Sequence, residues 1–485
     1  MNILVLFPLV IVVLGIVLYF LKSKKKVLDI LLIITTSISL IFSLILCFFD
    51  NNLKIELFRI TTELIVLFKL DLISKIFIVL FSFIWLLVSI FSLKYMDKEE
   101  NVNKFYSYTL LTLGCIALLS LSGNLITMYL MFEMVTLASM PLVMHSKTKE
   151  SKKAALKYLF YSLGGAFLGL ISVVIGILYS SNGGEFILGG SLVALSSSNK
   201  IAIQIALLCG LIGFGAKCGA FPLQSWLPSA HPVAPSPASS LLSGVITKAG
   251  VIAIIRIIFY SFGTSIIAGS FVQYTWEVLL LITILLGSSL ALFQKNIKRR
   301  LAYSSISQLS YILLGISSLT EEGFCGSILH VLSHAFIKVG LFLIAGFLIY
   351  QYDIHNVDEM EGMGKKAPIS MWCFTLFSLA LVGVPPFGSF FSKWYIALGS
   401  INSGLNFFNY FGAVVLLISA ILTACYLLSI SIKAFFPKNK EGLKREKEPL
   451  LMVIPLIILV SSVFLVGIFS SYLVDLLISV IGGGL

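Results

Sequence analysis

The stretch Gly213-Phe-Gly-Ala-Lys-Cys-Gly-Ala-Phe-Pro222 decides the fold, because it places a lysine and helix-breaking residues inside a long apolar segment. A second stretch of this kind, Gly383-Val-Pro-Pro-Phe-Gly388, ends five residues before Lys393. Glycine and proline residues inside a helix leave backbone N–H and C=O groups without their helical partners. At membrane depth this is tolerated only where protein or water satisfies these groups. The predicted helix breaks are Gly215, Pro222, Pro385 and Pro386.

The composition places both stretches in a membrane protein. Of the 485 residues, 58% are apolar and only 12% are charged, against about 25% charged residues in soluble domains. Apolar runs of roughly 20 residues, the length that spans a bilayer, repeat along the whole chain. We therefore predict an all-α polytopic membrane protein with about fourteen transmembrane helices. A soluble, disordered or nucleic-acid-binding protein is excluded.

We predict a single integral membrane domain over residues 1–485. The first three spans are peripheral, about 105–260 and about 275–435 form two five-helix halves, and 450–478 is the last span. Each half contains one broken helix, and the halves begin on opposite sides of the membrane. Inverted repeats with broken helices at corresponding positions are typical of transporters, so we predict two inverted five-helix repeats.

The loops predict the orientation. Basic residues concentrate in every second loop, for example Lys22–Lys26, Lys147–Lys157 and Lys295–Arg300, where the positive-inside rule places cytoplasmic loops. This pattern accounts for the net charge of +12. We predict a multi-pass protein of the cell membrane with both termini on the outer side.

The cysteines and motifs indicate no bound metal or cofactor. The seven cysteines stand singly, without the spacing of a disulfide framework, a zinc site or an iron–sulfur site. No nucleotide-binding loop or haem motif occurs either. Whatever reaction supplies energy to this chain must therefore take place in other subunits.

Ionisable residues within the predicted spans are the candidate functional residues. Glu133 lies in the middle of the fifth span, whereas every other acid falls in a loop or near a span end. A charged group inside the membrane costs at least about 2.5–3.5 kcal/mol on insertion, which makes it functional by default. A structural hydrogen-bond node is the alternative for Glu133. The basic residues within spans are Lys217, Lys248, Arg256, His330, His334, Lys338 and Lys393.

One acid cannot neutralise all these bases. Because burial disfavours a charged lysine, we expect some lysines to be neutral part of the time and thus able to carry protons. His330, His334 and Lys338 share one helix face at i, i+4 and i+8, which favours a hydrated relay over a zinc site or two hydrogen-bonded core histidines. Arg256 stays charged, which suits a fixed electrostatic or lipid-interface role.

The motifs resemble the proton-translocating antiporter-like subunits shared by complex I (NADH:quinone oxidoreductase), Mrp-type cation/proton antiporters and membrane-bound group 4 hydrogenases. The matching stretches are Phe132-Glu133, Gly215-Ala-Lys217, Ala230–Lys248, Leu329–Lys338 and Gly383–Lys393.

This resemblance implies a role for each candidate. Glu133 and Lys217 would form a coupled ion pair that senses a neighbouring subunit, and Lys248 would be the central proton carrier. His330, His334 and Lys338 would form a hydrated bridge, with Lys393 as the exit residue.

We expect a proton-translocating subunit of a multisubunit complex of the NADH dehydrogenase, hydrogenase or Mrp type, with sodium as a second candidate ion. Its partners would be other membrane subunits, and it would not be catalytic alone. The alternatives are a quinone-binding membrane subunit of a redox enzyme, a membrane scaffold and a self-sufficient antiporter.

Overall fold

The computed structural model describes residues 3–51, 53–61, 64–192, 197–405, 408–438 and 444–481. The predictions for the two chain termini, and for residues 439–443 of the basic loop 433–449, lie outside these ranges.

The N-terminal part combines three helices with a hairpin. The elements are α1 (Ile3–Phe20), α2 (Lys25–Leu46), β1 (Leu53–Arg59), β2 (Ile65–Leu70) and α3 (Leu72–Tyr95). The strands pair antiparallel, with Leu53 opposite Leu70 and Arg59 opposite Ile65. The all-α prediction did not include this hairpin. Asp71 follows it directly and caps α3, because its Oδ1 accepts the Ser74 N–H at 2.9 Å.

The first predicted half contains seven helical segments. They are α4 (Val102–Ser120), α5 (Leu125–Val143), α6 (Lys149–Leu178), α7 (Ser197–Cys218), α8 (Leu227–Val233), α9 (Ser236–Leu241) and α10 (Lys248–Ile255). The π-helical turn Leu242–Ile246 joins α9 to α10, and a second π-helical turn, Arg256–Phe262, follows α10, so that Ser236–Phe262 is one continuous span. We call this span the central span.

The second half begins after the short helix α11 (Thr264–Ile267) and again has one broken helix. Its helices are α12 (Phe271–Phe293), α13 (Ile297–Ser317), α14 (Glu321–Tyr352), α15 (Met363–Lys366), α16 (Pro368–Val382), α17 (Gly388–Ile401) and α18 (Phe408–Phe435). Helices α19 (Leu450–Ile468) and α20 (Ser470–Ile481) follow. Short 3₁₀ turns occupy Met96–Lys98, Gln224–Trp226 and Val357–Met360.

The described part of the chain has eleven helices long and apolar enough to cross a membrane. Each predicted span contains a helix, but the predicted count of about fourteen is not confirmed. Three apolar helices are shorter (Leu4–Phe20, Pro368–Val382 and Ser470–Ser479), and α13 is long enough but less apolar than the eleven. The chain is a multi-pass, helical membrane protein.

Burial separates the helices at the centre from those at the periphery. In the apolar stretch of each helix, all residues of the central span and 89% of those of α14 are buried, compared with 39% of those of α18. These two helices therefore form the core, and they carry Lys248, His330, His334 and Lys338. Peripheral helices expose large apolar side chains such as Leu417 and Ile421, as expected for surfaces that face lipid or other membrane subunits.

The hairpin and the basic loops lie at opposite ends of the spans. We call the end that carries β1 and β2 the hairpin end, and the end that carries the loop Lys295–Arg300 the basic-loop end. A proton that crosses the protein has to travel from one of these ends to the other.

Candidate functional site

The first helix break lies between α7 and the 3₁₀ turn before α8. Helix α7 ends at Cys218, and Pro222 follows with no N–H to continue it. Side chains satisfy the freed backbone: Trp226 Nε1 donates to the Ala216 carbonyl at 2.9 Å, and the Phe221 N–H donates to Thr283 Oγ1 at 2.9 Å. The break therefore does not need Lys217 to satisfy its backbone.

The structure corrects the prediction for Gly215. This residue lies inside α7, and the break begins after it. A Cβ at this position would lie 2.7 Å from the ring of Trp276 on α12. Glycine is needed here because two helices approach closely.

Lys217 is fully buried and bound by hydroxyl groups. Its Nζ donates to Thr136 Oγ1 at 2.8 Å and to Tyr158 Oη at 2.6 Å, and it lies 4.6 Å from the centre of the Tyr158 ring. Tyr158 Oη is also 2.7 Å from Ser139 Oγ. A chain of hydroxyls therefore begins at the lysine and runs along α5 and α6.

Glu133 lies on α5, one turn before Thr136. Its Oε1 accepts a long hydrogen bond of 3.4 Å from Tyr129, and its buried Oε2 has no partner among the described residues. Within the same ranges, no ion pair closer than 4 Å joins it to Lys217. The pair that the resemblance implies is therefore not in direct contact.

A π-helical turn directly before Lys248 provides a hydrogen-bond acceptor for its side chain. In this turn the Thr247 N–H bonds back to the Leu242 carbonyl at 3.1 Å instead of to Ser243. The Ser243 carbonyl is left to accept from Lys248 Nζ at 2.7 Å. Such turns are rare and occur frequently at functional sites. The turn supplies a polar partner for a lysine that is otherwise in an apolar core.

Lys248 connects the central span to α14. Its Nζ lies 2.8 Å from His334 Nδ1, so the lysine and the imidazole share one hydrogen bond that either of them can donate. The rings of His334 and His330 stack with their centres 6.0 Å apart, and His330 Nδ1 lies 2.8 Å from Ser392 Oγ on α17. Nε2 of each histidine is buried and without a protein partner among the described residues.

Lys338 forms a side branch of this chain. Its Nζ donates to Ser304 Oγ at 2.7 Å and to the Leu301 carbonyl at 3.2 Å. Tyr426 Oη donates to the same Ser304 hydroxyl at 2.7 Å. The branch thus joins α14 to α13 and α18.

The second helix break lies between α16 and α17 and uses its lysine differently. Pro385 and Pro386 lack the N–H groups that would bond to the carbonyls four residues earlier, those of Leu381 and Val382. Lys393 Nζ takes the place of both missing N–H groups: it donates to the Leu381 carbonyl at 2.6 Å and to the Val382 carbonyl at 2.9 Å. The lysine therefore satisfies the break that the two prolines create.

The structure corrects one prediction about charged residues, that for Glu277, and excludes one of the two roles predicted for Arg256. Arg256 does not face lipid: it is fully buried and bonded through two nitrogens to Asp71. Glu277 does not lie at a span end: α12 begins at Phe271, and the carboxyl group is buried, with Oε2 lacking a partner in the described part. The structure therefore contains buried acids besides Glu133.

Sequence reasoning also missed residues near the basic-loop end. Lys298 is buried and donates to the Ala234 carbonyl at 2.8 Å. Burial raises the pKa of Glu99, a loop residue, and the charge of Lys298 works against that rise. His231 is fully buried, and within the described ranges neither ring nitrogen has a partner. The sequence did not indicate that these residues are buried, because Lys298 belongs to a basic loop region and His231 to a proline-rich segment.

The arrangement places groups that exchange protons in a row across the core. Hydrogen bonds join Lys248 to His334 and His330 to Ser392, the two imidazole rings stack between these bonds with their centres 6.0 Å apart, and Ser392 is the neighbour of Lys393 in the chain. The imidazoles and the serine hydroxyl can both donate and accept, whereas the lysine donates when it is charged and accepts only when it is neutral. In the described part of the chain, no three His, Cys, Asp or Glu side chains are grouped closely enough to hold a metal ion.

Fold and site together define a class of membrane transport subunit in which two helices break beside lysines and a row of polar groups lies in the core. The chain belongs to the family described as NADH:quinone oxidoreductase/Mrp antiporter, transmembrane, whose model matches residues 122–423. The model for the N-terminus of chain 5 of NADH-ubiquinone oxidoreductase (complex I) matches residues 61–106.

Relatives and solved structures agree with this assignment. NADH-quinone oxidoreductase subunit N of Desulforudis audaxviator is 30% identical over 82% of this chain and 81% of its own length. A Na⁺/H⁺ antiporter subunit of Bacillus subtilis is 28% identical over 82% of this chain and 79% of its own. A chain of the Mrp complex from Dietzia sp. has the same fold, with a TM-score of 0.86 over 99% of this chain, 97% coverage of that chain and 20% identity.

Proposed function

We propose that this chain moves protons across the membrane as one subunit of a larger complex. The relay would consist of Glu133, Lys217, Lys248, His330, His334, Lys338 and Lys393. The observation that carries the proposal is the row of polar groups from Lys248 through His334 and His330 to Ser392, beside Lys393: hydrogen bonds join the first two and the last two groups, and the two histidines stack between them. A buried lysine suits proton release because a lysine, unlike an arginine, can lose its proton when it is desolvated.

Access from the basic-loop end would run past Glu99, Lys298 and His231. A surface cavity of about 380 Å³ is lined by Glu99 and Tyr95. Behind it, Lys298 and His231 are buried, and the charges of Lys298 and Lys338 both act on His231. His231 would therefore pass protons between the cavity and Lys338. The basic-loop end would face the cytoplasm, by the positive-inside rule.

Energy would reach the relay from neighbouring subunits through Glu133. The Glu133 side chain is half-buried, and next to it on α5 the apolar residues Met134 and Leu137 are exposed. A protonatable group at the edge of an apolar surface suits contact with another membrane subunit. A change of charge at this contact would alter the electrostatic environment of Lys217 and, through the relay, that of Lys393.

Purification of the tagged chain in mild detergent, with mass spectrometry of the proteins that accompany it, would identify the energy source. Subunits with metal centres or NADH-oxidising subunits would indicate a redox-driven pump. Small membrane subunits without a redox protein would indicate a cation/proton antiporter. Recovery of the chain alone, from gentle conditions that preserve other complexes, would contradict the assignment to a multisubunit complex.

The decisive test is Lys248→Met, which removes the amine and nearly preserves the volume. In inverted membrane vesicles that contain the whole complex, we expect proton uptake driven by the complex to fall at least about tenfold, as for loss of an essential carrier. Lys153→Met, at an exposed lysine of α6, is the matched control. Proton uptake at the wild-type level in an assembled Lys248→Met complex would contradict the proposed proton transport and would favour the alternative that the chain is a membrane scaffold.

A further inference from the structure

An ion pair closes the hairpin end of the central span. Arg256 follows the last residue of α10, and its guanidinium group binds the carboxylate of Asp71 through two bonds, 2.5 Å from Nη1 and 2.9 Å from Nη2. Nη2 also donates to Ser74 Oγ at 3.1 Å. This two-pronged geometry is the strong form of a charge-assisted hydrogen bond.

Aromatic groups and the loop after α6 cover this ion pair. The guanidinium carbon lies 4.7 Å from the centre of the Tyr260 ring and 5.2 Å from that of Phe186. The segment around Phe186 is held in turn by the bond from Lys69 Nζ to the Phe186 carbonyl at 3.0 Å and by an ion pair between Lys54 and Glu185. Charges and aromatic rings thus form a compact plug.

The plug lies on the same span as the proposed proton carrier. Arg256 is eight residues after Lys248, which corresponds to about 12 Å along a helix. A proton that left Lys248 along its own span would meet Arg256 before it reached the hairpin end. The proposed relay instead leads sideways to Lys393.

The pair cannot carry a proton. Arginine does not lose its proton in proteins. The carboxylate of Asp71 accepts four hydrogen bonds: Oδ1 accepts from the Ser74 N–H, Ser74 Oγ and Arg256, and Oδ2 accepts from Arg256. Protonation of Asp71 would break these bonds. A fixed arginine in a polar pathway is also an electrostatic barrier to protons.

We propose that the Asp71–Arg256 ion pair is a proton seal that prevents direct passage from Lys248 to the hairpin end, so that protons reach this end only through the second half. This inference rests on the proposed proton-carrying function of Lys248. It assigns a positioning role to two residues that do not belong to the relay.

The test is passive proton leak in vesicles that contain the whole complex, measured without any driving reaction. In Arg256→Met the Asp71 carboxyl loses its cation and becomes able to take up a proton, so we expect the leak to rise at least about threefold. The double variant Asp71→Asn/Arg256→Met has no carboxyl group at the position of the ion pair and should return to the wild-type leak. Arg59→Met, at an exposed arginine of the hairpin paired with Glu56, is the control and should leave the leak unchanged.

A third combination separates this inference from the proposed function. Lys248→Met added to Arg256→Met should abolish the extra leak, because the leak would pass through Lys248. An extra leak that survives this change overturns the seal, whereas the driven uptake of Lys248→Met alone decides the proposed function. A wild-type leak in an assembled Arg256→Met complex also overturns it.

Should Arg256→Met fail to assemble, Arg256→Lys serves as the second variant. It keeps a cation beside Asp71 but introduces an amine that can lose its proton, so the leak should again rise. An assembled Arg256→Lys complex with a wild-type leak would overturn the seal. If the Asp71–Arg256 ion pair only stabilised the fold, each single variant would be less stable and the proton leak per complex would stay unchanged.

Discussion

The two broken helices hold their lysines in different ways. In the first break, Trp226 and Thr283 satisfy the backbone, and Lys217 is free to bond to the hydroxyls of Thr136 and Tyr158. In the second break, Lys393 itself satisfies the two carbonyls that the prolines leave open. The first lysine therefore interacts with side-chain hydroxyls and lies near an acid. The second lysine instead stabilises the backbone of its own helix break.

The difference predicts opposite effects on stability for the same substitution. Lys217→Met and Lys393→Met should each lower driven proton uptake at least about tenfold. Lys393→Met also leaves two carbonyls without a partner inside the membrane, at about 1–3 kcal/mol each. We therefore expect a lower midpoint of thermal unfolding for Lys393→Met than for the wild type.

Lys217→Met should be neutral or stabilising. Thr136 keeps its bond to the Phe132 carbonyl and Tyr158 its bond to Ser139, and a buried charge is removed. Thermal unfolding of the purified complex, followed by the loss of soluble assembly, distinguishes the variants, with Lys200→Met at an exposed lysine as the control. Equal losses of stability in both variants would contradict the comparison.

The acid beside the first lysine should have a smaller effect. Charges separated by about 8 Å at an effective dielectric constant of about 20 interact by about 2 kcal/mol. Glu133→Gln removes this influence on Lys217 and should lower driven uptake by about three- to tenfold. The measurement is the initial rate of uptake per assembled complex.

Glu277→Gln is the matched control for this substitution. Glu277 is also a carboxyl group of a span, but the charge of Lys217 acts on Glu133, whereas no charge among the described residues acts on Glu277. We expect uptake within about twofold of the wild type for this variant. An equal loss in both variants would show that acids act here through burial, and that proximity to Lys217 is irrelevant.

The residues that break helices and carry charge could be predicted from the sequence because each is unusual by itself in an apolar span. Lys217, Lys393 and the prolines needed no partner to be recognised. Their partners could not be predicted, since Lys248 meets His334 across 86 residues and Arg256 meets Asp71 across 185. Such contacts depend on how the helices pack, and a serine or threonine in a span gives no signal of the lysine that it will bind.

Errors in the prediction arose where burial depends on the exact course of the chain. Glu277 was assigned to a span end because α12 begins four residues earlier than the predicted span, at Phe271. Gly215 was assigned to a break because its role, close contact with Trp276, involves another helix. The hairpin was missed because two short strands between apolar spans resemble an ordinary loop.

The smallest expected effect concerns the glycine that lets Lys393 approach its break. Gly383 has φ of +98°, and a Cβ there would lie 3.2 Å from Lys393 Cδ. Gly383→Ala therefore strains the backbone by about 1–2 kcal/mol and also displaces the lysine, and we expect driven uptake to fall about threefold.

Gly404→Ala separates these two effects, because it strains the backbone without displacing a lysine. Gly404 also has a positive φ, +73°, but a Cβ there would have no atom within 4 Å. Both variants should lose comparable stability, and only Gly383→Ala should lose transport per assembled complex. If Gly404→Ala reduces uptake as much as Gly383→Ala, the backbone strain itself impairs the complex, and the second break would not depend on how closely its lysine approaches.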